Sequence, residues 1–260
     1  MHKFKSNLIA LALTAVAATA VADPVLAATV KVTFDNPIFN GSGSDNVSIT
    51  FPNANNSGHT QLGVAAGRFQ GTATELVNIE EGKFVNGVND LFMYCYDVYE
   101  SITHGQPVNY TVDFQGATAR TLDFLGAVNW AMSADKNNID PYAWLHPVNG
   151  NQGAAIQLGI WESLYDASGW SLAAGDFKAT GLNGAGNGML GTGDYWGLFT
   201  GVIDSTVELD IKYTMVLRAS GAQDMIAGDP PTNVPEPGSL ALVGLALAGL
   251  AGSRRLRRRN

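Results

Sequence analysis

Two uncharged apolar runs, one near each end, decide how much of this chain is available to fold in water. Leu8–Ala22 follows Lys3 and Lys5, while Ser239–Gly252 precedes Arg254, Arg255, Arg257, Arg258 and Arg259. The first run has the layout of a secretory signal peptide: a basic start, an apolar stretch, and small residues ahead of two cleavage positions, after Ala22 or after Ala27. A surface helix would need a charged face towards solvent, and this run has none. The second run, 14 residues long, reaches about 21 Å at ~1.5 Å per residue, short of a ~30 Å bilayer core. It is marginal as a permanent anchor and adequate as a transient stop, because the arginine cluster holds the cytoplasmic side.

Setting both ends aside leaves 28–233, enough for one compact domain with a core. Charge is divided unevenly. Seven of the 15 basic residues lie in the ends, but only Asp23 and Glu236 of the 23 acidic ones do, so the middle carries a net charge near −13. Such a surface repels nucleic-acid phosphate and anionic headgroups, and no nucleic-acid partner is expected. Cys95 is the only cysteine, so no intramolecular disulfide can form, although an exported chain sits where disulfides do.

Between body and tail stands Val234-Pro235-Glu236-Pro237-Gly238. Two prolines exclude helix and favour extended backbone, presenting Pro235, Glu236 and Pro237 as an accessible strand-like substrate. Pro-Glu-Pro, a short apolar helix and a terminal basic cluster together resemble the PEP-CTERM sorting signal. That resemblance implies a Gram-negative host making extracellular polysaccharide, and a membrane exosortase that cleaves near Pro235–Pro237. It also implies transfer to the cell surface or extracellular matrix. The plainer alternative is an ordinary tail anchor.

The body reads as α+β: a β-rich domain, sandwich or barrel-like, with a helical insertion. Thr29–Phe34 and Val47–Phe51 alternate apolar and polar residues as half-buried strands do. Leu91–Ser101 and Pro107–Phe114 are expected to pair as a hairpin across 102–106. Leu122, Leu125, Val128 and Met132 fit one helix, and Ile156, Ile160, Trp161 and Leu164 a second. Gly181–Gly193 reads as a flexible glycine-rich loop, and 207–219 as a closing strand. The organisation expected is a signal peptide at 1–27, an extracellular domain at 28–223 with its insertion at about 122–170, a linker at 224–233, and a sorting segment with a transmembrane helix at 234–260.

Two short segments stand out in the body: Tyr94-Cys95-Tyr96-Asp97 on a strand, and Gln157-Leu158-Gly159-Ile160-Trp161 on a helix. Helical spacing puts Gln157 and Trp161 on one side, so the carboxamide points inward and needs a partner. An aromatic-Cys motif followed by Gln-x-x-hydrophobic-Trp is similar to the thioester domains of bacterial surface adhesins. The resemblance implies that Cys95 sulfur attacks the Gln157 carboxamide, with Trp161 packed around the bond. The family's usual threonine before the glutamine is Ile156 here. Thiolate character at Cys95 would be required, with Asp97 or His104 as proton acceptor. The bland alternative is a buried inert cysteine beside a glutamine bonded to backbone.

Other signals are weaker. His59, His104 and His146 are scattered, which argues against zinc, and Asp135–Asp140 lacks the glycine and distal glutamate of a calcium loop. No Gly-x-Ser-x-Gly occurs. Trp130, Trp144, Trp170 and Trp196 could offer a sugar-stacking surface or could be core. The expectation is a non-enzymatic protein without catalytic, metal or cofactor site. Its partners would be signal peptidase, exosortase, the inner membrane in transit, and extracellular polysaccharide or a surface partner. The rivals are a covalent adhesin using Cys95 and Gln157, and a secreted carbohydrate-active enzyme.

Overall fold

The computed structural model describes residues 27–55, 57–186 and 188–230. The expected signal peptide, except Ala27, and Pro235–Pro237, the C-terminal apolar run and the arginine cluster lie outside the described residues. The elements are β1 (Thr29–Phe34), β2 (Ser44–Pro52), β3 (His59–Gly67), β4 (Phe69–Val77), β5 (Leu91–Cys95) and β6 (Pro107–Asp113), then α1 (Ala119–Met132) and α2 (Gly150–Tyr165). β7 (Lys178–Thr180), α3 (Thr192–Thr200), β8 (Thr214–Arg218) and β9 (Met225–Gly228) complete the chain.

Six strands close into an antiparallel barrel in the order β1-β4-β5-β9-β8-β6, and β3-β2-β7 form a second, three-stranded sheet. A barrel this small is filled by its own side chains. Alternation selects them: Val30, Val32 and Phe34 of β1, Leu91, Met93 and Cys95 of β5, and Val108, Tyr110 and Val112 of β6 share one core. On the other face of the barrel wall, Tyr94, Val216 and Ile226 pack with Phe124 and Leu125 of α1 and Ile156 and Ile160 of α2 in a second core.

Helix α2 lies between these two cores. Every residue from Gln152 to Ser163 is buried, so the helix shows no polar stripe and is apolar almost all round. Ala154, Leu158 and Trp161 belong to the barrel-side core, Ala155, Ile156 and Ile160 to the other. Asn149 caps its N-terminus by accepting from Gln152 N at 2.9 Å. Where α1 crosses α2, Gly159 leaves room for the Phe124 ring, which a Cβ would overlap.

The fold is thus a β-rich domain built on a barrel, with helices inserted between β6 and β8. Four local expectations are corrected. β5 pairs with β4 and β9, and β6 with β1 and β8, so no 91–114 hairpin exists; barrel closure chooses the partners. Part of the glycine-rich stretch is ordered by a Gly186–Met189 bridge and leads into α3. The closing strand covers only Thr214–Arg218, because 211–213 form a 3-10 turn. The segment 224–233, read as a linker, contains β9, whose four residues are all buried.

Candidate functional site

Cys95 ends β5, and β9 pairs with one edge of that strand: Tyr94 faces Ile226 and Cys95 faces Met225. On the other edge, β4 pairs only as far as Met93, opposite Phe69, its first residue. The Cys95 backbone groups on that edge therefore have no strand partner. Gln157 supplies one. Its Oε1 accepts from Cys95 N at 2.9 Å and its Nε2 donates to Cys95 O at 2.8 Å, a side-chain amide standing in for the missing ladder. Gln157 is 0% and Cys95 1% exposed.

The two halves of the sequence constellation therefore meet. Trp161, one turn further along α2, donates from Nε1 to Asp97 O at 3.1 Å, fixing the chain just beyond the cysteine. The thiol itself points elsewhere: Sγ donates to Gln223 Oε1 at 2.9 Å. Gln223 sits in the β8–β9 connection, and its own carbonyl accepts from Tyr110 OH at 3.0 Å.

Electrostatics favour the neutral thiol. Burial pushes the Cys95 thiol well above its usual range, and the nearby Asp97 charge pushes it further. Of the two candidate proton acceptors, Asp97 accepts from Tyr99 N at 3.1 Å and Asp224 N at 2.6 Å, which makes it a clamp between two chain segments. His104 lies exposed in a turn. The acceptor at the sulfur is Gln223, which no sequence motif marks.

A cavity of about 300 Å³ reaches this point. Its walls are mainly apolar, including Ile49, Leu62, Phe69 and Ile102; Cys95 and Gln223 also line it, and Glu100 is the one carboxylate among its lining residues.

A second polar group is buried on α2. Glu162 is 0% exposed, and its Oε1 accepts from Ser171 N at 3.1 Å. Its buried Oε2 finds no hydrogen-bond donor. A proton on Glu162 would let it donate to neighbouring Asp166, whose side chain helps to raise its carboxyl. Burial first, and then Asp166, push Glu162 up to about 8. Asp166 in turn holds Asp176 N at 2.5 Å and Phe177 N at 3.1 Å. Gly175 (φ +106°) passes so close to Asp166 that a Cβ would overlap the carboxylate.

The remaining candidates are dispersed. Trp144 is fully buried, tilted against Tyr94 at 5.8 Å, while Trp170 and Trp196 pack on Phe124. Lys136 covers Trp130 at 4.1 Å. Asp135 and Asp140 each accept from the backbone two residues on, which makes that stretch a pair of local turns. Among the described residues there is no group of three or more His, Cys, Asp or Glu placed to hold a metal.

Comparison with known families places the deciding feature outside the folded body. The PEP-CTERM protein-sorting motif matches residues 233–258. This chain carries a PEP-CTERM sorting motif. The match spans the Pro-Glu-Pro tripeptide, the apolar run and all but the last arginine of the cluster. A PEP-CTERM motif marks an exported chain that exosortase recognises, passing through a membrane-anchored stage on its way to the cell envelope or surface. Among the described residues no helix is long and apolar enough to cross a membrane. No curated protein and no solved structure matches the chain.

Proposed function

We propose that this PEP-CTERM protein is cleaved by exosortase near Pro235–Pro237 and delivered to the cell surface or extracellular matrix. There its barrel domain serves as a non-enzymatic structural or interaction module. The observation that carries this reading is the sorting motif at 233–258 directly following a densely packed, strongly acidic domain. A net charge near −13 on the body suits a soluble module in an ion-rich extracellular setting. The test is made in the native host. Replacing Pro235, Glu236 and Pro237 by alanine should leave the full-length chain, arginines included, in the inner membrane, while wild type reaches the surface or medium without them. Unprocessed wild type in the inner membrane would overturn the reading.

A second reading, a covalent adhesin, draws on the seating of the Gln157 carboxamide on the backbone of Cys95, the residue that bears the thiol. Cys95 Sγ would bond to Gln157 Cδ, the Cδ–Nε2 bond would break, and the thiol proton would leave with the nitrogen as ammonia. A primary amine or hydroxyl could then take the acyl group and return the thiol. Intact mass decides: the exported protein should be lighter by about 17 Da, one ammonia, and Cys95→Ala should abolish the difference. A freely alkylated thiol in all of the native protein would sink it.

A further inference from the structure

The Cys95–Gln157 pair is shut in by the barrel wall and α2, with 1% and 0% exposure, so any reacting molecule needs a route. The cavity of about 300 Å³ supplies one, because Cys95 forms part of its wall while Glu100 and Ser101, both exposed, line it too. Gln223, half-buried and also part of the wall, lies against the sulfur: its Oε1 takes the thiol hydrogen at 2.9 Å. We propose that this cavity is the entry to Cys95, that the Gln223 side chain is its gate, and that Glu100 selects against negatively charged molecules. The proposal deepens the covalent reading above and rests on it for its function, though not for its geometry.

The backbone around the gate is pinned. Gly221 N donates to Glu100 Oε1 at 3.0 Å, Gln223 O accepts from Tyr110 OH at 3.0 Å, and Asp224 N donates to Asp97 Oδ2 at 2.6 Å. Arg218 Nη1 adds a bond to Asp224 Oδ2 at 3.0 Å. Opening is therefore a side-chain rotation rather than a loop movement. The gate is also coupled to the state of the sulfur. While Cys95 carries its proton, the bond to Gln223 Oε1 holds the gate shut. Forming the Sγ–Cδ bond expels that proton with the ammonia, removes the donor, and frees the carboxamide to swing. The lining selects for chemistry as well: apolar walls accept a hydrocarbon or aromatic arm, and the single carboxylate disfavours an anion entering a low-dielectric space.

The test uses the mature exported protein. Intact mass first sorts the preparation into thioester and free-thiol forms. In the thioester form, uptake of methylamine, benzylamine and glycine is followed by mass. With the S–H donor gone the gate is already free in this form, so Gln223→Ala and the similarly shaped Gln223→Met should take up methylamine at close to the wild-type rate. Glu100→Gln, which keeps an acceptor for Gly221 N, should raise glycine uptake relative to benzylamine. If no ammonia has been lost, the covalent reading fails; in either case the gate is judged on the free thiol, present from the start or returned by methylamine, with thiol reagents. Gln223→Ala and Gln223→Met should each speed modification by neutral methyl methanethiosulfonate, by about tenfold if one hydrogen bond holds the gate, and Glu100→Gln should narrow its lead over the anionic sulfonatoethyl reagent. Unfolding midpoints equal to wild type certify the variants. Thiol-modification rates unchanged in both Gln223 variants would overturn the gate, and unchanged charge preference in Glu100→Gln would overturn the selection.

Discussion

At the scale of single residues, buried polar groups decide most. Gln157 completes a strand edge that β4 fails to reach, so Gln157→Ala leaves the buried N–H and C=O of Cys95 without partners. Each orphaned group costs about 1–3 kcal/mol, and urea denaturation should show a loss of about 2–5 kcal/mol. Glu162 gives a pH signature. Its carboxyl is raised from 4.5 to about 8 in the folded chain, chiefly by burial, so the folded state holds a proton that the unfolded state releases first. Its contribution to stability is present in full below about 4.5, declines as pH rises through the window to about 8, and stays lost above it. Glu162→Gln, an amide that can donate to Asp166 at any pH, should gain on wild type steadily across that window. A stability difference that stays flat between pH 4.5 and 8.5 would refute the shared proton. Neither feature could be weighed from the sequence. Gln157 was visible as an inward amide, but its true partner is the cysteine's backbone, and Gln223 emerges only when the β8–β9 turn is laid across the end of β5.

At the scale of elements, local pattern and tertiary packing contributed unequally. β1 and the cores of α1 and α2 follow from alternation and helical spacing, because each buries one or more faces in its own register. α3 was hidden because Gly193 and Gly197 dilute its helical pattern. β9 was hidden because Met-Ile-Ala-Gly is too short to alternate and is buried on both faces. The α1–α2 crossing offers a test. In an isolated helix Gly159→Ala would gain about 1 kcal/mol from propensity. Here the added Cβ overlaps the Phe124 ring, so overpacking should reverse the sign and cost about 1–3 kcal/mol net, read as a lower midpoint in urea.

At the scale of the whole molecule, the barrel has to close. β9 joins β5 to β8, and without it both strands present open edges and the interior loses Met225 and Ala227. A chain of residues 28–230 should fold with a single cooperative transition followed by circular dichroism. A chain ending at 223, where composition suggested the domain stops, should lose that transition and aggregate. Equal folding of the two would mean that the barrel is not the unit of stability.

What the amino-acid order determined unaided was destination and raw material: a leader-like start, a tail that exosortase reads, an acidic body, and the periodicity of its longest elements. These are local properties, written in consecutive residues and readable by enzymes that see only a short stretch of chain. The tertiary structure decided which strands are neighbours, that the barrel extends past residue 223, and that a thiol, two carboxamides and a cavity converge. Those depend on contacts between residues far apart in sequence, 62 positions for Cys95 and Gln157 and 128 for Cys95 and Gln223. Such contacts exist only once burial of the core has fixed every strand's partner.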